Sequence, residues 1–378
     1  MVADLFKDFN SKMEDVLNNA EAGKGTIKDN MDDLCDILED EILKSQISEE
    51  EKKVLLKRLR TFCNSETNIM LVGATGCGKS STINAMFAAG EFENGENEDD
   101  NLEERRIREN YVEVAKVGTK ADPETKDIEK YRIGNLVLWD TPGLGDGTEI
   151  DEHHKEVITK LLREEDNEGN ALIDLVLVIM DGSSKDLGTS YKIINDVIIP
   201  ELENETNRIL VALNQADIAM KMGRHWDYEK NEPDETLVKF LEEKIESIKA
   251  RVKEDTNLDI SPVYYCAGYK EEGGDVVYPY NLSKLLYYIM QSLPSQKRVA
   301  VMEGVNTDSD NFGHNDNNED YNEGIKDSFY ESFDYIDEGV DTGADIGSKI
   351  LGIPGAVVGA VLGGVIGCVR EILDDIFI

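Results

Sequence analysis

Short apolar runs alternate with amphipathic stretches between Thr67 and Pro294. The runs have the length of buried strands, and the stretches between them, such as ETLVKFLEEKIESIKARV, repeat apolar residues at helical spacing. The predicted strands are NIMLVG, YVEVAKV, NLVLWD, DLVLVIMD, RILVALN and PVYYCA. Strands that alternate with helices favour an α/β domain with a mainly parallel sheet. We expect this domain, residues 67–294, to end with the helix NLSKLLYYIMQSL.

Amphipathic stretches before this domain predict an N-terminal helical region over residues 1–66. Ser48 and Glu51 form a capping box, which predicts the start of the last helix in this region. Such helices need a partner surface to cover their apolar faces. The expected stripes are Leu5, Phe6, Phe9, Met13, Val16 and Leu17; Met31, Leu34, Cys35, Leu38 and Ile42; and Val54, Leu55, Leu59 and Phe62.

Three other segments differ in composition from the predicted domain. Residues 91–110 predict an acidic surface insertion, and residues 295–343 predict an acidic polar linker. Residues 344–378 form a glycine-rich apolar C-terminal segment, in which residues 350–369 carry no charge. This uncharged run is long enough to span a membrane. A helix packed on the N-terminal stripes and self-association through its regularly spaced glycines are the alternatives.

The formal net charge of -39 narrows the range of partners. Nucleic acids and anionic membrane surfaces are themselves negative, so neither is expected as an electrostatic partner. The five cysteines show no C-x-x-C pair and no metal-ligand spacing, which favours a reduced, cytoplasmic setting. The N-terminus MVADLFKDFN lacks the continuous apolar core of a secretory signal.

The sequence VGATGCGKSS contains the pattern G-x-x-x-x-G-K-[ST] between a predicted strand and a predicted helix. Glycines in such a loop let successive backbone N–H groups face phosphate oxygens, and the helix start adds the positive end of its dipole. Lys79 is expected to reach the β- and γ-phosphates, Ser80 to ligate Mg²⁺ and Ser81 to contact the α-phosphate. The predicted phosphate loop comprises Gly73, Ala74, Thr75, Gly76, Cys77, Gly78, Lys79, Ser80 and Ser81.

Asp140 ends the predicted strand NLVLWD and is followed by the sequence TPG, which ends at Gly143. An aspartate in this place holds Mg²⁺ through a water, and the Gly143 N–H is placed to bond a γ-phosphate. The next residue is Leu144, where a glutamine orients the attacking water in many enzymes of this kind. Another group must therefore do that work. Asp181 ends a similar strand without a following TPG and is expected to be structural.

Residues 214–217 read NQAD directly after a predicted strand and fit the N-K-x-D pattern of guanine-binding proteins. Asn214 would contact the guanine face, and Asp217 would accept from the N1 and N2 hydrogens, where adenine presents an unmatched acceptor. Gln215 replaces a lysine whose stem packs along the base. Cys266 and Ala267 occupy the place of a short loop whose backbone N–H contacts guanine O6.

A threonine that ligates Mg²⁺ when the γ-phosphate is present is expected before the TPG motif. Thr125 in PETKDI is our prediction, and Thr119 is the alternative. An arginine that reaches a neighbour's γ-phosphate is a further hypothesis, although a helix face paired to glutamates is favoured for the arginines concerned. His153 and His154 fit an exposed helix start better than proton transfer. The three arginines are Arg105, Arg106 and Arg108.

The segments NIMLVGATGCGKSSTINAMF, ETKDI, LWDTPGLGDG and NQAD resemble those of Era-like GTPases of the translation-factor-related P-loop class. They are most similar to bacterial GTPases with GATGSGKSSTINALF and NQAD signatures. The resemblance implies a G domain that binds GTP or GDP with Mg²⁺, and it favours Thr125 because the family pattern there is T-[RK]-D. Relatives with an apolar residue in the Leu144 position often hydrolyse GTP by pairing two G domains, which implies a homodimer. One branch positions K⁺ with an asparagine where this chain has Gly76, so K⁺ activation is not implied.

The expected function is that of a Mg²⁺-dependent GTPase with Lys79, Thr125 and Gly143 at the reacting phosphate. A dynamin-like or immunity-related protein that acts on membranes through its C-terminal segment is an alternative, because helices on both sides of the G domain resemble the immunity-related layout. A nucleotide-binding module without hydrolysis is another. An ATPase is disfavoured because Thr141, and not a glutamate base, follows Asp140.

Overall fold

The computed structural model describes residues 27–44, 48–87, 91–92, 128–144, 148–166, 169–202, 206–220, 223–270, 276–306 and 308–333. They belong to two compact units. Among the described residues, the helical unit contains those between 27 and 66, those of Pro294–Glu303 and those between 322 and 333. The sheet unit contains the described residues of Thr67–Leu293 and Gly304–Tyr321.

The helices of the described chain are distributed over both units. They are α1 Ile27–Lys44, α2 Glu49–Asn64, α3 Lys79–Met86, α4 Thr148–Leu162, α5 Gly188–Ile193, α6 Glu235–Thr256, α7 Leu282–Ser292, α8 Ser295–Glu303 and α9 Tyr321–Tyr330. Helix α5 continues through the π-helical turn Ile194–Ile198 into a last turn, Ile199–Glu201. Shorter 3-10 turns cover Thr206–Arg208, Ala216–Ile218, Ser309–Asn311 and Glu331–Phe333.

The sheet unit is built on a seven-stranded sheet with the order β2-β3-β4-β1-β5-β6-β9. Strands β4, β1, β5, β6 and β9 are parallel, whereas β3 is antiparallel to β4 and β2 is antiparallel to β3. The seven strands are β1 Thr67–Gly73, β2 Glu91–Phe92, β3 Glu129–Ile133, β4 Leu136–Asp140, β5 Leu175–Asp181, β6 Ile209–Asn214 and β9 Val263–Tyr264. Two small hairpins pair β7 Trp226–Asp227 with β8 Glu232–Pro233, and β10 Tyr269–Lys270 with β11 Val276–Val277. The mainly parallel sheet with flanking helices confirms the predicted α/β class.

The apolar runs form strands because both faces of the sheet are covered. Every residue of β1 and of β6 is buried, as expected for central parallel strands between layers of helices. Helix α6 contributes a continuous buried stripe, and its start is capped by Asp234, whose carboxylate accepts from two backbone N–H groups of the first turn. The stripe consists of Leu237, Leu241, Ile245, Ile248 and Val252.

The apolar runs in the sequence do not predict strand β3. Only Tyr131 and Ile133 are buried in it, so its sequence, EKYRI, alternates and does not form an apolar run. A two-residue turn, Gly134–Asn135, connects it to β4, and Gly134 has φ 59°. The predicted strand YVEVAKV lies outside the described residues.

The helical unit has a core of apolar side chains from α1 and α2, including Ile42, Leu55, Leu59 and Phe62. Val54, which the predicted stripe includes, is instead 45% exposed. Helix pairing also brings Cys35 and Cys63 together in a disulfide, which the sequence spacing did not predict and which differs from the expected reduced state.

The chain after Pro294 differs from the expected polar linker. Helices α8 and α9 lie within residues 295–343, and both bury apolar residues. Ile325 and Phe329 are four residues apart on α9 and fully buried, which is the spacing of one helix face. Two short apolar groups are therefore sufficient to form helices in the described part of this segment.

Several predictions fall on residues outside the described ranges. They concern residues 93–110 of the acidic insertion, with Arg105, Arg106 and Arg108, the switch candidates Thr119 and Thr125, and residues 344–378. The first predicted apolar stripe, within residues 5–17, also lies outside them. The first two residues of the predicted insertion, Glu91–Phe92, instead form strand β2 of the sheet. Within the described ranges, no helix combines the length and the apolar character that crossing a bilayer requires.

The Cys35–Cys63 disulfide closes a loop with a sequence separation of 28, so its loss should destabilise the helical unit by about 3 kcal/mol. We expect a thiol reagent to label no more than three of the five cysteines in unfolded, unreduced protein, because two are joined. A Cys35→Ala variant should release the Cys63 thiol and add one label. Labelling of all five cysteines without reductant would contradict the disulfide.

Candidate functional site

The carboxyl ends of the parallel strands bring the motif residues together at one edge of the sheet. Gly73 ends β1, Asp140 ends β4, Asp181 ends β5 and Asn214 ends β6. The segment with Cys266 and Ala267 follows β9 at the same edge, two residues after Tyr264. Ligands of open α/β sheets bind at this edge.

The predicted phosphate loop is a tight turn between β1 and α3. Gly76 and Gly78 have φ 78° and 91°, a region that favours glycine. A Cβ on Gly78 would meet Asn214 Nδ2 at 2.2 Å, and a Cβ on Gly73 would meet the Ile179 carbonyl oxygen at 2.3 Å. Gly76 therefore requires glycine for its conformation, Gly73 for space, and Gly78 for both.

The side chains of the predicted phosphate loop differ in their burial and in their contacts. Lys79 is buried and its Nζ donates to the Gly73 carbonyl at 3.4 Å, so the ammonium lies over the loop. Burial raises the pKa of the Cys77 thiol, whose sulfur lies 2.6 Å from the position of a Cβ on Gly73. Cys77 is thus a packing residue whose contribution to a ligand site would come from its backbone. The remaining loop members, Ala74, Thr75 and Ser81, are exposed or half-buried at the same turn.

Asp140 and Ser80 form the core of the predicted metal site. Ser80 Oγ donates to Asp140 Oδ2 at 2.8 Å. Asp140 is fully buried, and its Oδ1 has no hydrogen-bond partner among the described residues. Burial raises the pKa of Asp140 to about 6; Lys79 and Ser80 oppose this shift, and Glu129 adds to it. A buried carboxylate with one unsatisfied oxygen beside a hydroxyl fits Mg²⁺, which prefers oxygen ligands.

The segment after Asp140 is bonded to the phosphate loop. Thr141 Oγ1 donates to the Leu71 carbonyl at 2.8 Å, and the Leu144 N–H donates to the Gly73 carbonyl at 3.3 Å. The Thr75 N–H in turn donates to the Leu144 carbonyl at 3.1 Å. Leu144 is only 1% exposed and packs in the core of the sheet unit. Its side chain therefore has no access to a reacting water.

Gly143 is packed between the phosphate loop and α4. A Cβ at this position would meet Thr75 Oγ1 at 2.3 Å. His154 Nδ1 lies 3.0 Å from the Gly143 carbonyl oxygen, and the His154 side chain is 6% exposed. The expectation of an exposed position is therefore wrong for His154, although His153 is exposed. The available signal was helical spacing, because His154 lies four residues before the buried Ile158.

Asn214 and Gln215 connect the NQAD segment to the phosphate loop. Asn214 Nδ2 donates to the Cys77 carbonyl at 3.0 Å, and Asn214 Oδ1 accepts from the Ala267 N–H at 3.0 Å. Gln215 has φ 61°, and its Nε2 donates to the Gly76 carbonyl at 2.9 Å. Gln215 thus joins the two loops through its amide group, a contact that the sequence pattern did not predict.

Asp217 lies beside Cys266 and is buried, with 6% of its surface exposed. Burial raises the pKa of Asp217, while the Cys266 thiol and two backbone N–H groups oppose the shift. Cys266 Sγ donates to Asp217 Oδ1 at 3.1 Å, and burial holds the pKa of Cys266 well above that of a free thiol. The thiol is therefore a hydrogen-bond donor that orients the carboxylate.

Asp181 forms local contacts instead of facing the site. Its Oδ1 accepts from the Ser183 N–H at 2.8 Å, the Ser183 hydroxyl at 2.7 Å and the Ser184 N–H at 3.2 Å. These bonds close the turn after β5, consistent with a structural role. The residues that the structure assembles at one edge are thus the phosphate loop, Asp140 with Gly143, and the pair Asn214 and Asp217 with Cys266 and Ala267.

The strand order and the loop after β1 define the fold of the sheet unit as the G domain of a P-loop NTPase. Residues 68–215, less than half of the chain, match the family model described as 50S ribosome-binding GTPase. This match supports a relationship to GTPases.

Solved structures with this fold include a dimerization-deficient mutant of Toc33 from Arabidopsis thaliana. It is 16% identical, with 69% of this chain and 96% of that chain covered, and a TM-score of 0.38. The G domain of the FeoB iron transporter from T. maritima is 17% identical, with coverages of 60% and 98% and a TM-score of 0.29. The bacterial dynamin GTPase LeoA from ETEC is 14% identical, with coverages of 88% and 49% and a TM-score of 0.34. None of the curated proteins compared with the chain is detectably similar to it. Since these TM-scores are low, the fold assignment rests on strand order and on the family match.

The raised pKa of Asp140, about 6, predicts how stability depends on pH without metal. An aspartate carboxyl titrates near 3.9 in an unfolded chain. Burying the ionised Asp140 carboxylate therefore lowers the free energy of unfolding by about 2–3 kcal/mol above pH 6, and this loss disappears below pH 3. Stability should fall as the pH rises through this window, and Asp140→Asn should remove the fall.

Urea unfolding in EDTA at about pH 4.5 and about pH 7.5 measures this difference. Asp196→Asn, which changes an exposed acid, is the matched control. The same pH dependence for wild type and Asp140→Asn would contradict the cost assigned to Asp140.

Proposed function

We propose that this chain is a Mg²⁺-dependent GTPase that hydrolyses GTP to GDP and phosphate. The observation that carries the proposal is the convergence of the phosphate loop, Asp140 and Asp217 at one edge of the sheet. The family match over residues 68–215 supports the same class of activity. We expect guanine nucleotide to be the ligand and Mg²⁺ its companion ion.

The phosphate end would be bound chiefly by backbone. The N–H groups of the loop from Ala74 to Ser81, at the N-terminus of α3, supply positive potential for the β-phosphate. Lys79 would add its ammonium to the β- and γ-oxygens. Mg²⁺, when bound, would neutralise charge between the β- and γ-phosphates, held by Ser80 Oγ and by Asp140. Thr125 is proposed as the third protein ligand.

The base end would select guanine. The Asp217 carboxylate, fixed by the Cys266 thiol, is suited to accept from the N1 and N2 hydrogens of guanine. Adenine would leave this carboxylate facing the N1 acceptor, which is unfavourable for a buried charge. Asn214 and Ala267 bond to each other and would hold the surrounding loops in register.

Hydrolysis requires a water to attack the γ-phosphorus while the bond to the β-phosphate oxygen breaks. The Gly143 N–H is suited to bond a γ-phosphate oxygen, and His154 contacts the carbonyl of the same residue. The buried Leu144 side chain cannot orient the water. We therefore propose that a group from a second G domain, in a homodimer, completes the site.

Asp217→Ala should weaken GTP binding by about 100-fold or more, because two hydrogen bonds to a charged group are lost. The affinity for inorganic pyrophosphate should not change, because the phosphate loop stays intact. Equilibrium titration of the full chain with Mg²⁺ and each ligand measures both. Glu229→Ala, a change at an exposed acid, is the control. Equal affinity of wild type for ATP and GTP would overturn the proposal.

Turnover per molecule should rise by about 10-fold or more with protein concentration, since a charge supplied in trans contributes on the order of 10³-fold in related reactions. Leu144→Gln should give no acceleration, because position 144 faces the core. Steady-state phosphate release against protein concentration tests the first point. Constant turnover per molecule would argue against a group from a second copy, and a single-turnover assay without product would refute hydrolysis.

A further inference from the structure

Exposed apolar side chains of the sheet unit are concentrated near Asp217. Among the described residues of this unit, the large apolar side chains with the greatest exposure are Ile218 at 42%, Tyr228 at 54%, Tyr269 at 50% and Tyr278 at 36%. Ile218 follows Asp217 directly. Tyr228 lies in the turn between β7 and β8, and Tyr269 opens β10. Two aromatic rings thus stand at the rim of the proposed base site.

The hairpin that carries Tyr228 is fixed to the segment that carries Cys266. Trp226 packs edge-on against Tyr280, with ring centroids 5.3 Å apart, and the Cys266 and Tyr280 backbones exchange two hydrogen bonds of 2.9 Å. Asn231 Nδ2 donates to the Tyr278 and Pro279 carbonyls at 3.0 Å and 3.1 Å. These contacts place the hairpin beside the thiol that orients Asp217.

A few contacts connect each of the two tyrosines, Tyr228 and Tyr269, to Asp217. The Gly268 N–H donates to Cys266 Sγ at 3.3 Å, so Tyr269 follows a residue held directly at the Asp217 partner. The Tyr228 hydroxyl packs on Gly223, where a Cβ would meet it at 2.3 Å. Partial burial, and then the charge of Asp217, raise the pKa of Tyr228, with further contributions from Tyr269 and Cys266. Tyr228 is therefore within electrostatic range of the carboxylate and of the other ring.

The polar side chains of the NQAD segment bond to the protein or face the edge of the proposed purine. Gln215 directs its Nε2 to the Gly76 carbonyl, and its Oε1 accepts from Ser183 Oγ at 3.3 Å. Both polar atoms of the Gln215 side chain are thus hydrogen-bonded within the protein. Asp217 can read only the polar edge of a purine. A purine held by its edge alone would keep both faces in water.

We propose that Tyr228 and Tyr269 form an aromatic platform that stacks on the purine ring whose edge Asp217 reads. This inference rests on the proposed guanine-nucleotide binding. Every nucleobase has a π-face, so the platform supplies affinity and Asp217 supplies the choice of base. The occupant is the base of a nucleoside di- or triphosphate, because the same edge of the sheet carries the phosphate loop.

The test compares GDP and inorganic pyrophosphate as ligands of the full chain with Mg²⁺, by isothermal titration calorimetry. Tyr228→Ala and Tyr269→Ala should each raise the Kd for GDP by about 10-fold, the size expected for loss of one base-stacking contact. Pyrophosphate affinity should be unchanged, which also shows that the variants are folded. Tyr228→Phe and Tyr269→Phe keep the rings and should stay within about 2-fold of wild type.

Tyr278→Ala is the matched control, because Tyr278 is also exposed but pairs with His314, with ring centroids 6.2 Å apart. It should leave GDP affinity unchanged. Wild-type GDP affinity in both alanine variants would refute the platform while leaving the guanine site intact. Failure of wild type to bind GDP, with pyrophosphate bound or not, would refute the proposed function and the platform together. An equal loss of GDP and pyrophosphate affinity would show a general disturbance of the site and also overturn the platform.

Discussion

One buried amide, that of Asn214, determines how the site is assembled. Its Nδ2 donates to the phosphate loop at Cys77, and its Oδ1 accepts from Ala267 after the last strand. Its backbone carbonyl accepts from the Gly182 N–H at 2.7 Å, in the turn after β5. Three loops that are far apart in sequence are thus tied to one residue that is 2% exposed. Gly78 must lack a Cβ for this contact to exist.

The residues proposed to hold a metal ion include a buried group whose hydrogen bonding is incomplete, in contrast to Asn214. Asp140 is buried with an unsatisfied carboxylate oxygen, and its raised pKa reports the cost of keeping it charged there. Lys79 and Ser80 offset part of this cost, and a divalent cation would offset more. The chain thus has a position that is unfavourable for stability and favourable for binding a cation, as functional sites commonly do. The segment after it is bonded to Gly73 and Thr75, so the residues proposed to sense a γ-phosphate are joined to the proposed phosphate loop.

Much of the fold could be predicted because burial on both faces of a parallel strand gives an apolar run. The strands β1, β4, β5, β6 and β9 lie within such runs. Strand β3 could not be predicted in this way, since it alternates buried and half-buried residues. Helix α9 was missed because its apolar residues are few and stand in an acidic background. Helix α8 was missed because it is short and its buried apolar residues are consecutive, Val299 to Met302, and do not repeat at helical spacing. Their burial depends on partner helices that are distant in sequence.

The sequence by itself determined the types of residue at the site and their order, because loop glycines, a strand-ending aspartate and the NQAD pattern are local features. Only the tertiary structure decided which groups meet: the Cys35–Cys63 disulfide, the bond from Gln215 to Gly76, and the burial of His154. The physical reason is distance along the chain. These contacts join segments that come together only when the sheet and the helices pack. A local pattern of apolar and polar residues cannot predict contacts between such distant segments.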